Sequence, residues 1–126
     1  MINIDLAIEV AATTAKDVYF PVPCRGIVHA VHCVYSEETD LDETVIIYRG
    51  ANAVNTVTPP ADATAEGVRY AGVPDTTYKD YIFDPDDDTE ANQVLKISIP
   101  NTYDTAGMLG LNIKYDDSAA VTQSST

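Results

Sequence analysis

The 126-residue chain contains no tryptophan, only two cysteines, and seven lysine and arginine residues against 20 aspartate and glutamate residues. Its formal net charge of −13 argues against nucleic acids and anionic membrane surfaces as direct partners, because both are bound mainly through lysine and arginine. No apolar run approaches the roughly 20 residues that a membrane-spanning helix needs. A secretory signal peptide is not expected, because Asp5 and Glu9 interrupt the apolar positions of the N-terminus. These absences predict a soluble acidic protein of a reducing compartment.

The acidic residues are unevenly distributed along the chain. Half of them lie in two short runs that contain no basic residue, whereas the rest of the sequence is nearly balanced in charge. The first run contains Glu37, Glu38, Asp40, Asp42 and Glu43, and the second contains Asp84, Asp86, Asp87, Asp88 and Glu90. We therefore expect a near-neutral body that carries two solvated acidic loops.

Several segments alternate between apolar and polar residues, which is the pattern of half-buried β-strands. Residues 2–10 alternate most regularly, and residues 27–35 are apolar on both faces, as in a central strand. In this second segment Ile27, His29, Val31, Cys33 and Tyr35 are predicted to share one face, and Val28, Ala30, His32 and Val34 the other. Further strands are predicted at residues 45–48, 52–58, 68–71, 94–99 and 109–115, with a short apolar stretch at residues 18–20.

The spacing of these segments determines the predicted fold class. Seven or eight short strands without any helical periodicity longer than two turns indicate an all-β protein, either a β-sandwich or a jelly roll. Residues 1–117 are predicted to form a single domain, and residues 118–126 a flexible C-terminal tail, because the tail is small and polar.

Four potential zinc ligands, Cys24, His29, His32 and Cys33, lie within ten residues of each other. Their spacing matches none of the common zinc patterns, and His29 and His32 point to opposite faces of a strand. A disulfide is also disfavoured, because an extended strand separates the two cysteines by more than the roughly 7 Å that such a bond spans. We expect buried thiols and strand histidines here, with no metal site and no cofactor.

The second acidic run raises the question of calcium binding. Asp84, Asp86, Asp88 and Glu90 place carboxylates at alternate positions, and calcium prefers such oxygen ligands. An EF-hand loop would require glycine at its sixth position and glutamate at its twelfth, where this chain has Thr89 and Leu95. A solvated loop and a calcium site both remain open for these residues.

Catalytic motifs are absent from the sequence, so we expect no enzymatic activity. A surface for binding is one interpretation of the unusual ratio of eight tyrosines to two phenylalanines. The alternative is that most tyrosines complete strands at the edge of the core. The tyrosines are Tyr19, Tyr35, Tyr48, Tyr70, Tyr78, Tyr81, Tyr103 and Tyr115.

With these features in view, the chain resembles the small all-β decoration, or cement, proteins that coat the capsids of tailed bacteriophages. The resemblance rests on an N-terminus that enters a strand directly and on the proline–glycine turn of residues 20–28 (FPVPCRGIV), which leads into a hydrophobic strand. It continues through the middle of the chain, rich in alanine, threonine, glycine and proline, to the strands at residues 94–100 and 107–115.

The resemblance implies a non-enzymatic structural protein of the phage virion, made in the host cytoplasm. Such a protein is a jelly-roll-like subunit that forms a homotrimer on the capsid exterior and clamps neighbouring major capsid subunits. We expect residues 2–10 or the turn at residues 21–26 to contact the capsid. The main alternative is a carbohydrate- or receptor-binding β-sandwich of a head fibre or tail, with exposed tyrosines and calcium at residues 84–90. A small hydrolase would require His29 or His32 to lie exposed beside a nucleophile.

Overall fold

A computed structural model describes residues 1–11, 15–36, 44–58, 68–100 and 107–118. These residues contain nine β-strands and two short 3₁₀-helices. The strands are β1 (Ile2–Val10), β2 (Lys16–Pro21), β3 (Ile27–Tyr35), β4 (Val45–Arg49), β5 (Asn52–Val57), β6 (Arg69–Ala71), β7 (Val73–Pro74), β8 (Val94–Ile99) and β9 (Gly107–Asp116). The 3₁₀-helices are Tyr78–Asp80 and Glu90–Asn92, and neither helix in these ranges has the length and apolarity to cross a membrane. The first acidic run, Tyr103 and residues 119–126 of the predicted tail lie outside the described residues.

The strands form two antiparallel sheets, one in the order β1-β9-β3-β6 and one in the order β2-β8-β4-β5-β7. Their pairing is nested, because β1 pairs with β9, β2 with β8, β3 with β6, and β4 with β5. A long antiparallel hairpin rolled into two facing sheets is the arrangement of a jelly roll. The prediction of an all-β sandwich is therefore confirmed.

The core lies between the inward faces of the two sheets and follows directly from the alternation in the sequence. On β8, Leu95, Ile97 and Ile99 are buried, whereas Lys96 and Ser98 between them are partly exposed. Each buried aliphatic side chain contributes about 1.5–3 kcal/mol relative to an exposed one. This gain is sufficient to determine which face of each strand turns inward.

The sequence predicted most strands to within one or two residues, but it missed β7 and so counted seven or eight strands rather than nine. β7 has only two residues, one of them Pro74, which is too short to show an alternation. Gly72 alone separates it from β6, and the chain passes from one sheet to the other at this glycine. The Gly72 N–H donates a hydrogen bond to the Val31 carbonyl at 2.8 Å.

The predicted faces of β3 need a correction at its beginning. The register with β9 shifts between Val28 and Ala30, which leaves His29 as the extra residue of a β-bulge. As a result Val28 is buried together with Val31, whereas His29 is exposed. The predicted assignment is correct only from Ala30 onward, because a simple alternation cannot reveal a bulge.

Candidate functional site

The outer face of the five-stranded sheet is formed by the side chains that alternate with its core residues. On β8, the buried Leu95 and Ile97 flank Lys96, which consequently points outward. Paired strands share this orientation, and Lys96 lies opposite Tyr19 on β2 and Tyr48 on β4. The outer face consists of Asp17, Tyr19, Pro21, Ile46, Tyr48, Ala53, Thr56, Val73, Val94, Lys96 and Ser98.

This outer face carries almost no charge. Among the described residues of this face, Asp17 and Lys96 are the only charged side chains, and their charges are opposite. The Lys96 Nζ lies 5.4 Å from the centroid of the Tyr48 ring, a cation–π contact. Tyr19 and Val73, on the two edge strands, are 60% and 71% exposed. Aromatic residues are enriched and charges depleted at the cores of protein interfaces, so we identify this face as a candidate protein-binding surface.

A shallow depression of about 410 Å³ lies where β5 and β7 meet on this side of the sheet. Asp75 is the one charged residue among the described residues that line it. Its Oδ1 accepts hydrogen bonds from the Thr77 N–H at 2.9 Å and the Thr77 hydroxyl at 2.7 Å, and both bonds hold the pKa of Asp75 below its ordinary value. The lining residues are Thr56, Thr58, Val73, Pro74, Asp75 and Thr76. The depression therefore offers mainly hydroxyl and apolar groups to a partner.

The second acidic run forms an ordered turn at the end of the sandwich where β4 ends and β8 begins. The Asp84 Oδ1 accepts a hydrogen bond from the Asp86 N–H at 2.9 Å. The Asp87 carboxylate accepts one from the Thr89 N–H at 2.8 Å and one from the Asn92 side-chain amide at 3.3 Å. These two bonds, the first more than the second, lower the pKa of Asp87. Three other acidic side chains remain exposed on the turn, namely Asp86, Asp88 and Glu90.

Two arginines support this turn from the sandwich. The Arg25 Nη1 lies 3.8 Å from the Asp84 Oδ2, and both side chains are partly buried. The Arg49 Nη1 donates a hydrogen bond to the Ile82 carbonyl at 2.9 Å, and its guanidinium carbon lies 5.2 Å from the centroid of the Tyr81 ring. Positive charge within the protein thus lies beside the acidic turn.

Calcium would need six to eight oxygen ligands at this turn. Across the described ranges, no group of three or more His, Cys, Asp or Glu side chains is arranged to hold a metal ion. The carboxylates of Asp84 and Asp87 already accept hydrogen bonds from the turn itself. The geometry of the described residues therefore gives calcium binding no support.

We expect EDTA to change the melting temperature of the protein by less than about 1 °C, because a bound ion would otherwise stabilise the folded state by mass action. Differential scanning fluorimetry with and without EDTA measures this, with a calcium-replete sample as the control. A fall of several degrees that calcium reverses would contradict the expectation and favour a calcium site.

The two cysteines are free thiols in different parts of the sandwich. Cys33 is buried in the core opposite Leu111, and burial raises the pKa of its thiol to about 12. Cys24 lies in the turn before β3, where its carbonyl accepts a hydrogen bond from the Tyr115 hydroxyl at 2.6 Å. Because Tyr115 is four residues from Leu111 on β9, the two cysteines lie roughly 13 Å apart along the strand direction.

The two histidines lie in different environments on β3, and among the described residues neither is hydrogen-bonded to a nucleophile. His29 is exposed in the β-bulge, and His32 is partly buried opposite Asn112 and Ala71. Desolvation is the main reason that the pKa of His32 is lowered, and the charges of Arg69 and Lys114 add to the effect. The arrangement gives the hydrolase alternative no support, and the absence of enzymatic activity stays a prediction.

The tyrosines divide between the core and the surface. Tyr35 and Tyr115 are buried, Tyr48, Tyr70, Tyr78 and Tyr81 are partly buried, and Tyr19 is exposed. Of the seven tyrosines that the structure describes, Tyr19 and Tyr48 lie on the outer face of the five-stranded sheet. Every tyrosine was a candidate binding residue from the sequence. Their sequence positions could not predict that Tyr19 and Tyr48 lie on the same face, because this depends on β8 lying between β2 and β4.

Comparisons of the chain with protein-family models, with curated proteins and with solved structures gave no match. A functional proposal for this protein therefore has to be argued from its own residues.

Proposed function

We propose that this protein is a structural component of a phage virion that binds the outside of the assembled capsid. In this proposal it forms a homotrimer through the outer face of the five-stranded sheet and stabilises the head by clamping neighbouring major capsid subunits. The proposal combines the resemblance to decoration proteins with one observation, which is the nearly uncharged outer face of this sheet.

The low charge of this face matters because the whole chain carries a formal net charge of −13. Copies of such a chain repel each other, and contact through a surface without net charge adds least to this repulsion. The outer face has one acid, Asp17, and one base, Lys96. Its exposed Tyr19 and Val73 supply apolar area for burial. This combination supports self-association through this face.

The two acidic runs are compatible with the same role. The second run lies at one end of the sandwich, and Ser36 and Thr44, which flank the first run, lie at the opposite end. Charge at these ends would keep decorated particles apart in solution. A trimer would also repeat each weak contact with the shell three times, and binding to the assembled shell alone stabilises it by mass action.

Co-sedimentation with undecorated capsids tests capsid binding directly. We expect the protein to pellet with capsids at a saturable ratio and to raise their melting temperature. Free major capsid subunits serve as the control, because the proposal predicts binding to the assembled lattice only. Failure to pellet with any capsid of a matching phage would refute the proposed function.

The proposed trimer interface is tested by Tyr19→Asp and Val73→Asp, which add a negative charge at exposed positions of the outer face. We expect each variant to shift the protein from trimer to monomer, as measured by light scattering, and to keep the β-sheet circular dichroism spectrum of the parent, since both positions are exposed on the subunit. Ala71→Asp is the matched control, because it adds the same charge at an exposed position of the other sheet. A monomeric parent protein, or variants that remain trimeric, would contradict this interface.

A carbohydrate- or receptor-binding module is the second candidate, and one observation favours it. Tyr19 and Tyr48 flank Lys96 in a row across three strands, and sugars stack on exposed aromatic rings. Under this alternative, Tyr19→Asp would abolish glycan binding and leave the oligomeric state unchanged.

A further inference from the structure

We infer that β1 uses its free outer edge to accept an extended strand of a partner protein, and that this strand carries lysine or arginine at alternate positions. The inference depends on the proposed function only for the identity of the partner, which would be a major capsid subunit. Addition of a strand to an exposed sheet edge is a common form of peptide recognition, in which backbone hydrogen bonds supply affinity and alternate side chains supply specificity.

β1 differs from the other edge strands of the two sheets, which are β2, β6 and β7. Proteins protect sheet edges with short strands, prolines, lysines and bulges. β6 has three residues, β7 has two including Pro74, and β2 contains Lys16 and Pro21. β1 has nine residues, contains no proline or basic residue, and pairs with β9 without a register shift. Among the described edges, β1 thus has the least protection.

The hydrogen bonds of neighbouring residues show which backbone groups of β1 point outward. Glu9 lies opposite Met108, but the Met108 N–H donates to the Ser36 hydroxyl and its carbonyl accepts from the Ser36 N–H. The Glu9 carbonyl instead accepts a hydrogen bond from the Lys16 Nζ at 2.7 Å. Glu9 therefore directs its backbone groups away from β9.

Hydrogen-bonded and non-hydrogen-bonded pairs alternate along an antiparallel ladder. Since Glu9 belongs to a non-hydrogen-bonded pair, Asn3, Asp5 and Ala7 also direct their N–H and C=O groups to the free edge. Within the described ranges, Lys16 is the only side chain that bonds to this edge, and it occupies the Glu9 carbonyl alone. A partner strand can consequently pair with β1 from Asn3 to Ala7.

The side chains of β1 indicate the chemistry of the partner. Asn3, Asp5, Ala7 and Glu9 share the solvent-facing side and are exposed. Two of these are acidic and none is basic, so lysine or arginine at alternate partner positions would lie beside them. A second β1 would place four acids and no base on one strand pair, which disfavours self-pairing.

The inward side of β1 indicates apolar residues at the remaining partner positions. Ile4 and Ile8 are buried, but Ile2 and Leu6 remain partly exposed although they pack against the core. An added strand with apolar side chains on this face would cover Ile2 and Leu6. The expected partner segment therefore alternates basic and apolar residues.

The test uses the full chain and a synthetic nine-residue peptide in which lysine and valine alternate, with a glutamate–valine peptide as its counterpart. Backbone NMR should show exchange protection at the N–H groups of Asn3, Asp5 and Ala7 with the lysine peptide only. Ala7→Pro should weaken this binding by about tenfold or more, because it removes an outward N–H while the bonds to β9 remain. Ala7→Thr keeps the N–H and is the matched control.

A second variant keeps the test independent of any effect of proline on folding. Asp5→Lys combined with Glu9→Lys should reverse the preference, so that the glutamate peptide binds and the lysine peptide does not. Unchanged binding in Ala7→Pro, or no binding of the lysine peptide to the parent protein, would overturn the inference. Peptide binding without capsid binding would refute the proposed function and leave the inference about β1 intact.

Discussion

Replacement of Gly26 by alanine is expected to lower the free energy of unfolding by about 3 kcal/mol and the melting temperature by roughly 10 °C. Gly26 is buried where the turn before β3 passes the end of β9. An added Cβ would lie 2.5 Å from the backbone oxygen of Asp116 and 2.7 Å from the Tyr115 ring. Neither group can move easily, because one is backbone and the other is a buried ring.

Gly26 cannot move away from this contact either. Its N–H donates to the Phe83 carbonyl at 3.0 Å, and its carbonyl accepts from the Phe83 N–H at 2.8 Å. Gly110→Ala is the matched control, since a Cβ there would meet Val34 atoms at 3.7 and 3.8 Å, which is ordinary contact. We expect Gly110→Ala to be neutral or slightly stabilising in thermal and urea unfolding. Equal stability of the two variants would contradict the argument.

Phe83→Ala is expected to destabilise the protein by about 4 kcal/mol, the usual cost of removing a buried phenylalanine ring. Phe83 is fully buried, and its ring centroid lies 6.4 Å from that of Tyr115. Its backbone bridge to Gly26 connects the segment after Tyr81 to the sandwich. Phe83 is thus the apolar anchor of the acidic turn that follows it.

Urea unfolding measures the total loss in Phe83→Ala, and NMR separates local from global effects. We expect the amide signals of Asp84, Asp87 and Asn92 to lose dispersion first, because their turn depends on this anchor. Phe83→Leu keeps most of the buried area and should cost less than half as much. A stability loss below about 1 kcal/mol in Phe83→Ala would show that the turn is held by its own hydrogen bonds alone.

The outer face of the five-stranded sheet and the free edge of β1 are proposed to bind different partners. The outer face of the five-stranded sheet offers uncharged side chains, which suits contact between copies of an acidic chain. β1 belongs to the other sheet and offers backbone groups beside acidic side chains, which suits a basic strand of another protein. Variants of one surface should therefore leave binding at the other unchanged, as expected for distant and independent sites.

The sequence predicted the strands well where alternation was long and regular. Residues 94–99 were predicted with the bounds of β8, and residues 2–10 with the bounds of β1, because each has an apolar residue at every second position. Prediction failed where structure depends on a partner strand. The bulge at His29 and the two-residue β7 both arise from pairing with distant segments, and neither leaves a periodic signal.

The candidate surfaces were less predictable than the strands. From the sequence alone, Tyr19 and Tyr48 could not be distinguished from the buried Tyr35 and Tyr115, since burial of a tyrosine depends on which face its strand turns inward. The sequence predicted residues 2–10 or the turn at residues 21–26 as a capsid contact, but the free edge of β1 became visible only when β9 was seen to pair on one side alone.

By itself, the sequence determined that this protein is acidic, that its charge is concentrated in two short runs, and that its chain folds as strands with one apolar side each. These properties are local, because the alternation within a strand decides which side chains seek the core. The tertiary structure decided the nested strand order, the uncharged outer face of one sheet and the free edge of the other. Those depend on contacts between segments far apart in the chain, whose pairing no local pattern specifies.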